Sequence, residues 1–161
     1  MFKNQFYDII MFGGGAGSSS ALINYLEKFQ KFKINKKINI AIIDKDLENF
    51  PGGIAYGKKL SSNGFFNNPC RLSPVDFIKW TIEKKKRISL INFLKKQENS
   101  VIKTWLVDNK KIYLKAKKIS DINEMYLPRI FFNFWLEEKL KKLLDKKKYK
   151  INLFLFEGEI I

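Results

Sequence analysis

"YDIIMFGGGAGSSSALINYLEKF", residues 7–29, joins an apolar run to a cluster of glycines and then to a segment with helical spacing. Residues 6–12 are apolar without helical periodicity and end at a glycine, which predicts a buried strand. A helix from Ser18 to about Phe32 is predicted by apolar residues at helical intervals, namely Leu22, Tyr25, Leu26, Phe29 and Phe32. Residues 38–46, "INIAIIDKD", predict a second strand. Strand, glycine turn, helix and strand in this order predict a βαβ unit with parallel strands.

The glycine turn has the first two glycines of the dinucleotide-binding pattern Gly-x-Gly-x-x-Gly, at Gly13 and Gly15. Gly13 permits a tight turn out of the strand, and Gly15 lets the backbone approach a pyrophosphate because it has no Cβ. The helix begins near Ala16, Gly17 and Ser18 and directs its free N–H groups and positive dipole end at that phosphate. Ser18 replaces the third glycine, and its small side chain can be accommodated where helix and strand pack. We therefore predict that these five residues surround a pyrophosphate.

An acidic residue ends the second predicted strand. Asp44 is placed to accept hydrogen bonds from ribose hydroxyls, with Asp46 as the alternative. Asp44 lies further from Gly13 than is usual, and the lysine-rich exit of the helix accounts for the difference. The acid, together with the preceding strand and helix, favours dinucleotide binding over a simple flexible turn.

The length and composition indicate one folded domain. The chain has 161 residues, of which 45% are hydrophobic, enough for a substantial core. We predict a single domain over residues 1–161 with an insertion at about 49–149 between the second and third strands. No apolar run approaches the roughly 20 residues that cross a bilayer. The N-terminus reaches its glycines too early for a secretory signal, so we expect a cytoplasmic protein without a membrane partner.

Residue usage excludes several kinds of catalytic site. Histidine is absent and Cys70 is the only cysteine. This excludes Ser-His-Asp and Cys-His nucleophiles, ordinary zinc sites and an intrachain disulfide. We expect no metal and assign no catalytic residue, so a cofactor would carry any difficult chemistry.

A net charge of +15 raises nucleic acid as a partner. The lysines, however, are scattered through Lys/Ile/Asn-rich text such as "KFKINKKINI" and "LDKKKYKIN". We interpret them as a solvated basic surface and keep nucleic-acid binding as an alternative, since such a charge favours non-specific contact with polyanions.

The middle of the chain begins with a predicted loop. Residues 49–74 are dense in Gly, Pro, Asn and Ser. They lead into a predicted helix that is capped by Ser73, has Pro74 at its first position and carries Asp76 in its first turn.

The remaining text predicts further elements of uneven clarity. Within residues 84–123, "ISLINFLKK" is compatible with a helix, and "IKTWLV" and "KIYLKA" predict a hairpin around "DNKK". Residues 129–148 predict a helix with one apolar face, and residues 150–161 predict a closing strand.

Three later stretches, "PGGIAYGKKL", "FFNNPCRLSPVDFIKW" and "YLPRIFFNFWLEEKL", carry a family resemblance. In order and approximate spacing they resemble the N-terminal region of FAD/NAD(P)-binding proteins with a Rossmann-like fold. That family has a Gly-x-Ala-Tyr element after the second strand, an Asn-x-Pro stretch, an Asp-Phe-x-x-Trp helix and an aromatic-x-Pro-Arg sequence. The matching residues are Gly53, Ala55, Tyr56, Gly57, Asn67, Pro69, Ser73, Asp76, Phe77, Trp80, Pro128, Arg129 and Leu136.

The resemblance implies a Rossmann-like three-layer α/β fold around a parallel sheet, with FAD as the dinucleotide and NAD(P) as a second candidate. It implies a ring contact for Tyr56, an amide hydrogen bond for Asn67 and a phosphate or carboxylate contact for Arg129. Each residue also has a plain structural interpretation: local packing, turn capping and a surface arginine, respectively. The spacing of the glycine loop does not separate FAD from NAD.

The chain departs from the family at Ser18, at Trp135, where tyrosine is usual, and at its end. It stops at Ile161, where the family continues with further strands and a flavin-contacting segment. We therefore expect the truncated dinucleotide-binding region of a flavin-dependent oxidoreductase-like protein. The alternatives are a non-catalytic remnant and a basic nucleic-acid-associated protein. We further expect weak or no flavin retention and no measurable turnover by this chain alone, and association with a missing C-terminal half or with itself.

Overall fold

The computed structural model describes residues 6–34, 36–58, 64–145 and 150–159. These residues form an α/β structure whose three strands are all parallel in one open sheet. The α/β class and the parallel sheet are thus confirmed. The strands are β1 (Ile9–Phe12), β2 (Ile38–Asp44) and β3 (Ile151–Glu157). The helices are α1 (Ala16–Lys31), α2 (Gly53–Tyr56), α3 (Val75–Ile82), α4 (Lys84–Leu94), α5 (Ser100–Lys115) and α6 (Ile130–Leu144).

The strand β2 is the centre of the sheet, in the order β1-β2-β3. Ile40 pairs with Ile9 on one side and with Leu153 on the other. Its side chain and that of Ile42 are fully buried. The nearly continuous apolar text of β2 is what a parallel strand flanked on both edges requires.

The described residues divide into two compact units. The sheet unit comprises Met1–Lys59 and Leu136–Ile161 and contains all three strands, α1 and α2. The helical unit, Leu60–Trp135, contains α3, α4 and α5. Helix α6 contributes its residues up to Trp135 to the helical unit and the rest to the sheet unit.

In the sheet unit, α1 buries the stripe Leu22, Leu26 and Phe29, which recurs at helical intervals as predicted. The C-terminal half of α6 is tied to α1 by the Gln30 side-chain amide, which donates to the Leu143 carbonyl at 2.8 Å. Because Gln30 is itself buried, this hydrogen bond satisfies a polar group that would otherwise be costly.

In the helical unit the core is aromatic. Phe77 of α3 is fully buried and meets Phe132 edge to face at a centroid distance of 5.1 Å. Tyr113 of α5 is also fully buried and donates its hydroxyl to the Thr81 carbonyl at 2.8 Å. Burial raises the pKa of the Tyr113 hydroxyl well above its usual value.

The hairpin predicted around "DNKK" is wrong, because this text forms the middle of the continuous helix α5. Its buried residues Ile102, Trp105 and Tyr113 lie on one helical face. The Asn99 side chain caps the start by accepting from the N–H groups of the second and third residues of the helix. At the other end Arg87 donates to the Leu114 carbonyl at 2.7 Å, where positive charge is favoured.

The predicted start of α3 is wrong by one residue. Pro74 occupies the N-cap and its carbonyl accepts the first helical bond, from Ile78 N–H at 3.1 Å. Ser73 therefore precedes the cap and makes no capping bond, whereas Asp76 lies in the first turn as predicted.

Other boundaries shift by a few residues, as helix and strand ends commonly do. Strand β1 starts later than residue 6, α1 starts earlier than Ser18, and the predicted loop contains the one-turn helix α2. Residues 146–148 of the predicted last helix and residues 160–161 of the predicted last strand lie outside the described residues. In the part of the chain that the structure describes, no helix has the length and apolar character needed to cross a membrane.

Candidate functional site

The glycine turn leaves β1 in a conformation that requires glycine. Gly13 has a φ of +85°, a region that side-chain-bearing residues rarely adopt. Its N–H donates to the Ile43 carbonyl at 2.8 Å and so ties the turn to the central strand. Gly15 then forms the N-cap of α1, and its carbonyl accepts the first helical bond, from Ser19 N–H at 2.9 Å. The backbone N–H groups in the first turn of α1 have no intrahelical acceptor and are available to an anion.

The Asp44 side chain points at this turn. One carboxylate oxygen accepts from Gly14 N–H, and the other accepts from Asp46 N–H at 2.7 Å. Each carboxylate oxygen can accept a second hydrogen bond, so a ribose hydroxyl can still donate to Asp44. The Asp46 carboxylate accepts a hydrogen bond from the buried Asn49 side chain at 2.7 Å and thus stabilises the loop after β2. Of the two acids, the geometry therefore favours Asp44 as the ribose contact.

The start of α2 and the residues just before it lie directly against the turn. Gly53 has a φ of +61°, and a Cβ at this position would lie 2.7 Å from the Cα of Gly15. The buried Ser19 hydroxyl donates to the Pro51 carbonyl at 2.8 Å and holds the same segment. Our sequence reasoning missed Ser19. The signal was a serine on the same helical stripe as Leu22 and Leu26, where a buried hydroxyl needs an acceptor.

A cavity of about 460 Å³, here called the glycine-turn cavity, lies at the carboxyl ends of the three strands. This is the edge at which open parallel sheets bind ligands, and the volume is typical of small-molecule sites. Among the residues that the structure describes, the only cation that lines it is Lys45, whose Nζ lies 4.0 Å from a carboxylate oxygen of Glu159. The lining residues are Phe12, Gly13, Gly15, Ile43, Asp44, Lys45, Asp46, Asn49, Gly53, Ile54, Gly158 and Glu159.

The predicted site residues of the sheet unit separate into two groups. Gly13, Gly15 and Asp44 line the cavity together. Ala16, Gly17 and Ser18 form the first turn of α1 and, by contrast, are not among the lining residues. Gly17 is exposed and Ser18 is half-buried, so the first turn is compatible with a serine in place of the third glycine.

Tyr56, also a predicted site residue, ends the short helix α2 and is half-buried. It does not line the glycine-turn cavity.

Asn67 and Arg129 belong to the helical unit, where the structure brings them together. The Arg129 guanidinium donates to the Asn67 side-chain oxygen at 2.8 Å and to the Phe65 carbonyl at 2.7 Å. The Arg129 backbone N–H donates to the Gly64 carbonyl at 2.9 Å. These bonds join the start of the unit to the start of α6.

Cys70 is buried, and desolvation raises the pKa of its thiol to about 12. A thiol in this state is a poor nucleophile, because the thiolate is the reactive form. In the described ranges no three His, Cys, Asp or Glu side chains group in a way that could hold a metal ion.

Comparison of the chain with protein-family models, with curated proteins and with solved structures found no match. A function is therefore inferred from the geometry of the glycine turn and the cavity beside it.

Proposed function

We propose that the sheet unit binds the adenosine-diphosphate half of a dinucleotide in the glycine-turn cavity. The observation that carries the proposal is the Asp44 carboxylate, which faces the glycine turn at the carboxyl edge of the sheet. An acid after the second strand and a glycine turn before a helix are the two halves of a dinucleotide site. Here both line one cavity.

The pyrophosphate would lie over the N-terminus of α1. Gly13 and Gly15 place no side chains in the way, and the first turn of α1 offers free backbone N–H groups and contains no acidic residue. Anion binding at such a helix start uses N–H groups and the helix dipole rather than basic side chains. This suits a cavity in which Lys45 is the one cation among the described lining residues.

The acid at the ribose-binding end of the cavity limits which dinucleotides fit. A carboxylate accepts from the free 2′-hydroxyl of a ribose and repels a 2′-phosphate. Asp44 therefore favours FAD or NAD over NADP. The resemblance noted in the sequence favours FAD, and a bound flavin supplies hydride or electron transfer. The proposed function is accordingly the dinucleotide-binding region of a flavin-dependent oxidoreductase-like protein.

The test is a pair of glycine substitutions that differ in their relation to the cavity. A Cβ at residue 15 would meet only the Cα of Gly53, at 3.9 Å, which is ordinary contact. Gly15→Ala should therefore fold normally while placing a methyl group where the pyrophosphate approaches. A Cβ at Gly17 would meet nothing within 4 Å, and Gly17 does not line the cavity, so Gly17→Ala is the matched control.

Isothermal titration calorimetry with FAD, NAD⁺ and ADP measures the outcome. We expect Gly15→Ala to weaken binding by at least about tenfold, or about 1.4 kcal/mol, and Gly17→Ala to bind like the parent. Circular dichroism should show the same helix content in all three proteins. Equal affinity of Gly15→Ala and the parent, or no binding of any of these nucleotides by the parent, would overturn the proposal.

A further inference from the structure

The helical unit carries a second cavity, unrelated to the glycine turn. It has a volume of about 650 Å³ and runs along the outer side of α5; we call it the α5 groove. Its apolar lining consists of Leu106, Val107 and Leu114. The Val107 side chain is 82% exposed, although it is β-branched and apolar and stands in the middle of a helix. A single exposed apolar residue is ordinary, but Val107 shares one concavity with the half-buried Leu106 and Leu114, and such a grouping marks a contact surface.

The rim of the α5 groove is entirely cationic. Lys110, Lys111 and Lys115 alternate with the apolar residues along α5, and Lys95 contributes from the residue after α4. Within the described parts of the chain, none of these four lysines lies within 4.0 Å of a carboxylate oxygen. The neighbouring acid on the same helix, Asp108, is not part of the lining. The apolar residues, called the floor of the groove, and the lysines, called its rim, therefore share one surface, and these lysines have no carboxylate partner among the described residues.

We propose that the α5 groove docks an acidic amphipathic helix of a partner protein. Helix-in-groove recognition places an apolar face on an apolar floor and matches the charges along its edges. The lysines occur on α5 and opposite it, so the complementary partner carries several carboxylates along both sides of an apolar stripe. From Leu106 to Lys115 the floor and rim extend about 14 Å, at about 1.5 Å per residue, which matches two to three turns of a docked helix.

The shape and charge of the groove favour this occupant over a lipid. A membrane surface receives an apolar ridge that projects from a protein, whereas two of the three apolar lining residues, Leu106 and Leu114, are half-buried and Val107 alone is exposed. A single acyl chain has one charged end, which would leave most of the four lysines unmatched. Nucleic acid would match the lysines but leave the apolar floor unused.

The probe is a synthetic, capped peptide of leucine and glutamate, about 14 residues long, with its leucines on one helical face. It is titrated into the full ¹⁵N-labelled chain and followed by amide chemical shifts. A second peptide with lysine in place of every glutamate is the charge control. We expect the acidic peptide to shift amides along α5 from Leu106 to Lys115, and the basic peptide to leave them unchanged.

Variants of the chain separate the groove from general charge attraction. Lys110→Glu combined with Lys111→Glu should lower the affinity for the acidic peptide by at least about tenfold, because repulsion replaces attraction at the rim. Lys84→Glu combined with Lys85→Glu makes the same charge change at exposed residues of α4 outside the lining, and should change affinity less than about twofold. Val107→Asn tests the floor at a residue too exposed to affect folding and should weaken binding by about threefold or more.

Three results would overturn the proposal. The first is the absence of shifts along α5 with the acidic peptide. The second is an equal loss of affinity in the two double variants, which would mean that net charge alone binds the peptide. The third is sedimentation with phosphatidylglycerol vesicles that is lost in the groove double variant and retained in the α4 double variant, while the peptide does not bind. That result would assign the groove to a membrane surface. Circular dichroism of each variant confirms that its helices are intact.

Discussion

Replacing Gly53 by alanine tests whether the start of α2 and the glycine turn form one tightly packed site. Gly53 has a φ of +61°, and holding an L-residue in this region costs about 1–2 kcal/mol. The new Cβ would also lie 2.7 Å from the Cα of Gly15, so the two backbones must separate. Forced shifts of this kind typically cost about 1–3 kcal/mol. We therefore expect Gly53→Ala to lower the free energy of unfolding by about 2–5 kcal/mol.

Urea denaturation followed by circular dichroism measures this loss, provided that the slope of the transition is unchanged. Gly17→Ala is the control, because its Cβ meets nothing within 4 Å and alanine is the better helix former. This control should leave stability unchanged or raise it by up to about 1 kcal/mol. A Gly53→Ala variant that loses less than about 1 kcal/mol would show that the two glycines are not in contact, and the described cavity wall would be wrong.

Four further outcomes follow from single residues. Asp44→Ala should weaken the binding of FAD or NAD⁺ by about 1–3 kcal/mol in calorimetry, and an unchanged affinity would contradict the proposed ribose contact. Phe77→Ala, at a fully buried side chain, should lower the free energy of unfolding by about 3–5 kcal/mol in urea denaturation, and a loss near zero would contradict the aromatic core. Cys70, with a pKa of about 12, should resist iodoacetamide at pH 8 in the native protein and react in urea; rapid native alkylation would contradict its burial. Hydrogen bonds from two backbone N–H groups lower the pKa of Asp121, so its stabilisation is present above its usual pKa and is lost as pH falls through the lowered value. Asp121→Asn should therefore flatten the acid side of the stability–pH curve, and an unchanged curve would refute this.

The sheet unit was predictable where its signals are local. The apolar run of β1, the glycines after it and the helical spacing of α1 all lie within one short stretch. Gly13 was expected to make the turn because few other residues tolerate its backbone conformation, and its φ of +85° agrees. Asp44 follows directly from its place at the end of β2, since strands that run parallel bring their carboxyl ends to the same edge.

The helix α5 was mispredicted because its composition and its spacing disagree. "IKTWLV" and "KIYLKA" are rich in β-branched and aromatic residues, and Asp108 and Asn109 between them are typical turn residues. The helical spacing of Ile102, Trp105 and Tyr113 favours the helix, because it buries three large side chains on one face. Tertiary packing thus overrides local propensity here.

Contacts between residues that are distant in the sequence could not be predicted from local sequence patterns. Ser19 meets Pro51 across 32 positions, and Arg129 meets Asn67 across 62. A single sequence carries no signal that pairs such residues, because each depends on where the intervening elements fold. For Arg129 and Asn67, family resemblance predicted ligand contacts, and the structure shows the two side chains hydrogen-bonded to each other.

The central place of β2 has a consequence for the order of folding. Asn39 of β2 hydrogen-bonds Asn152 of β3 across 113 positions, whereas its amide bonds Asp8 across 31. On a ribosome that adds about 5–20 residues per second, β3 emerges about 6–23 s after β2. During that interval β2 has β1 on one side and an open edge on the other, which can pair with another nascent chain. Slower translation or a higher density of ribosomes on one message should therefore lower the yield of folded protein.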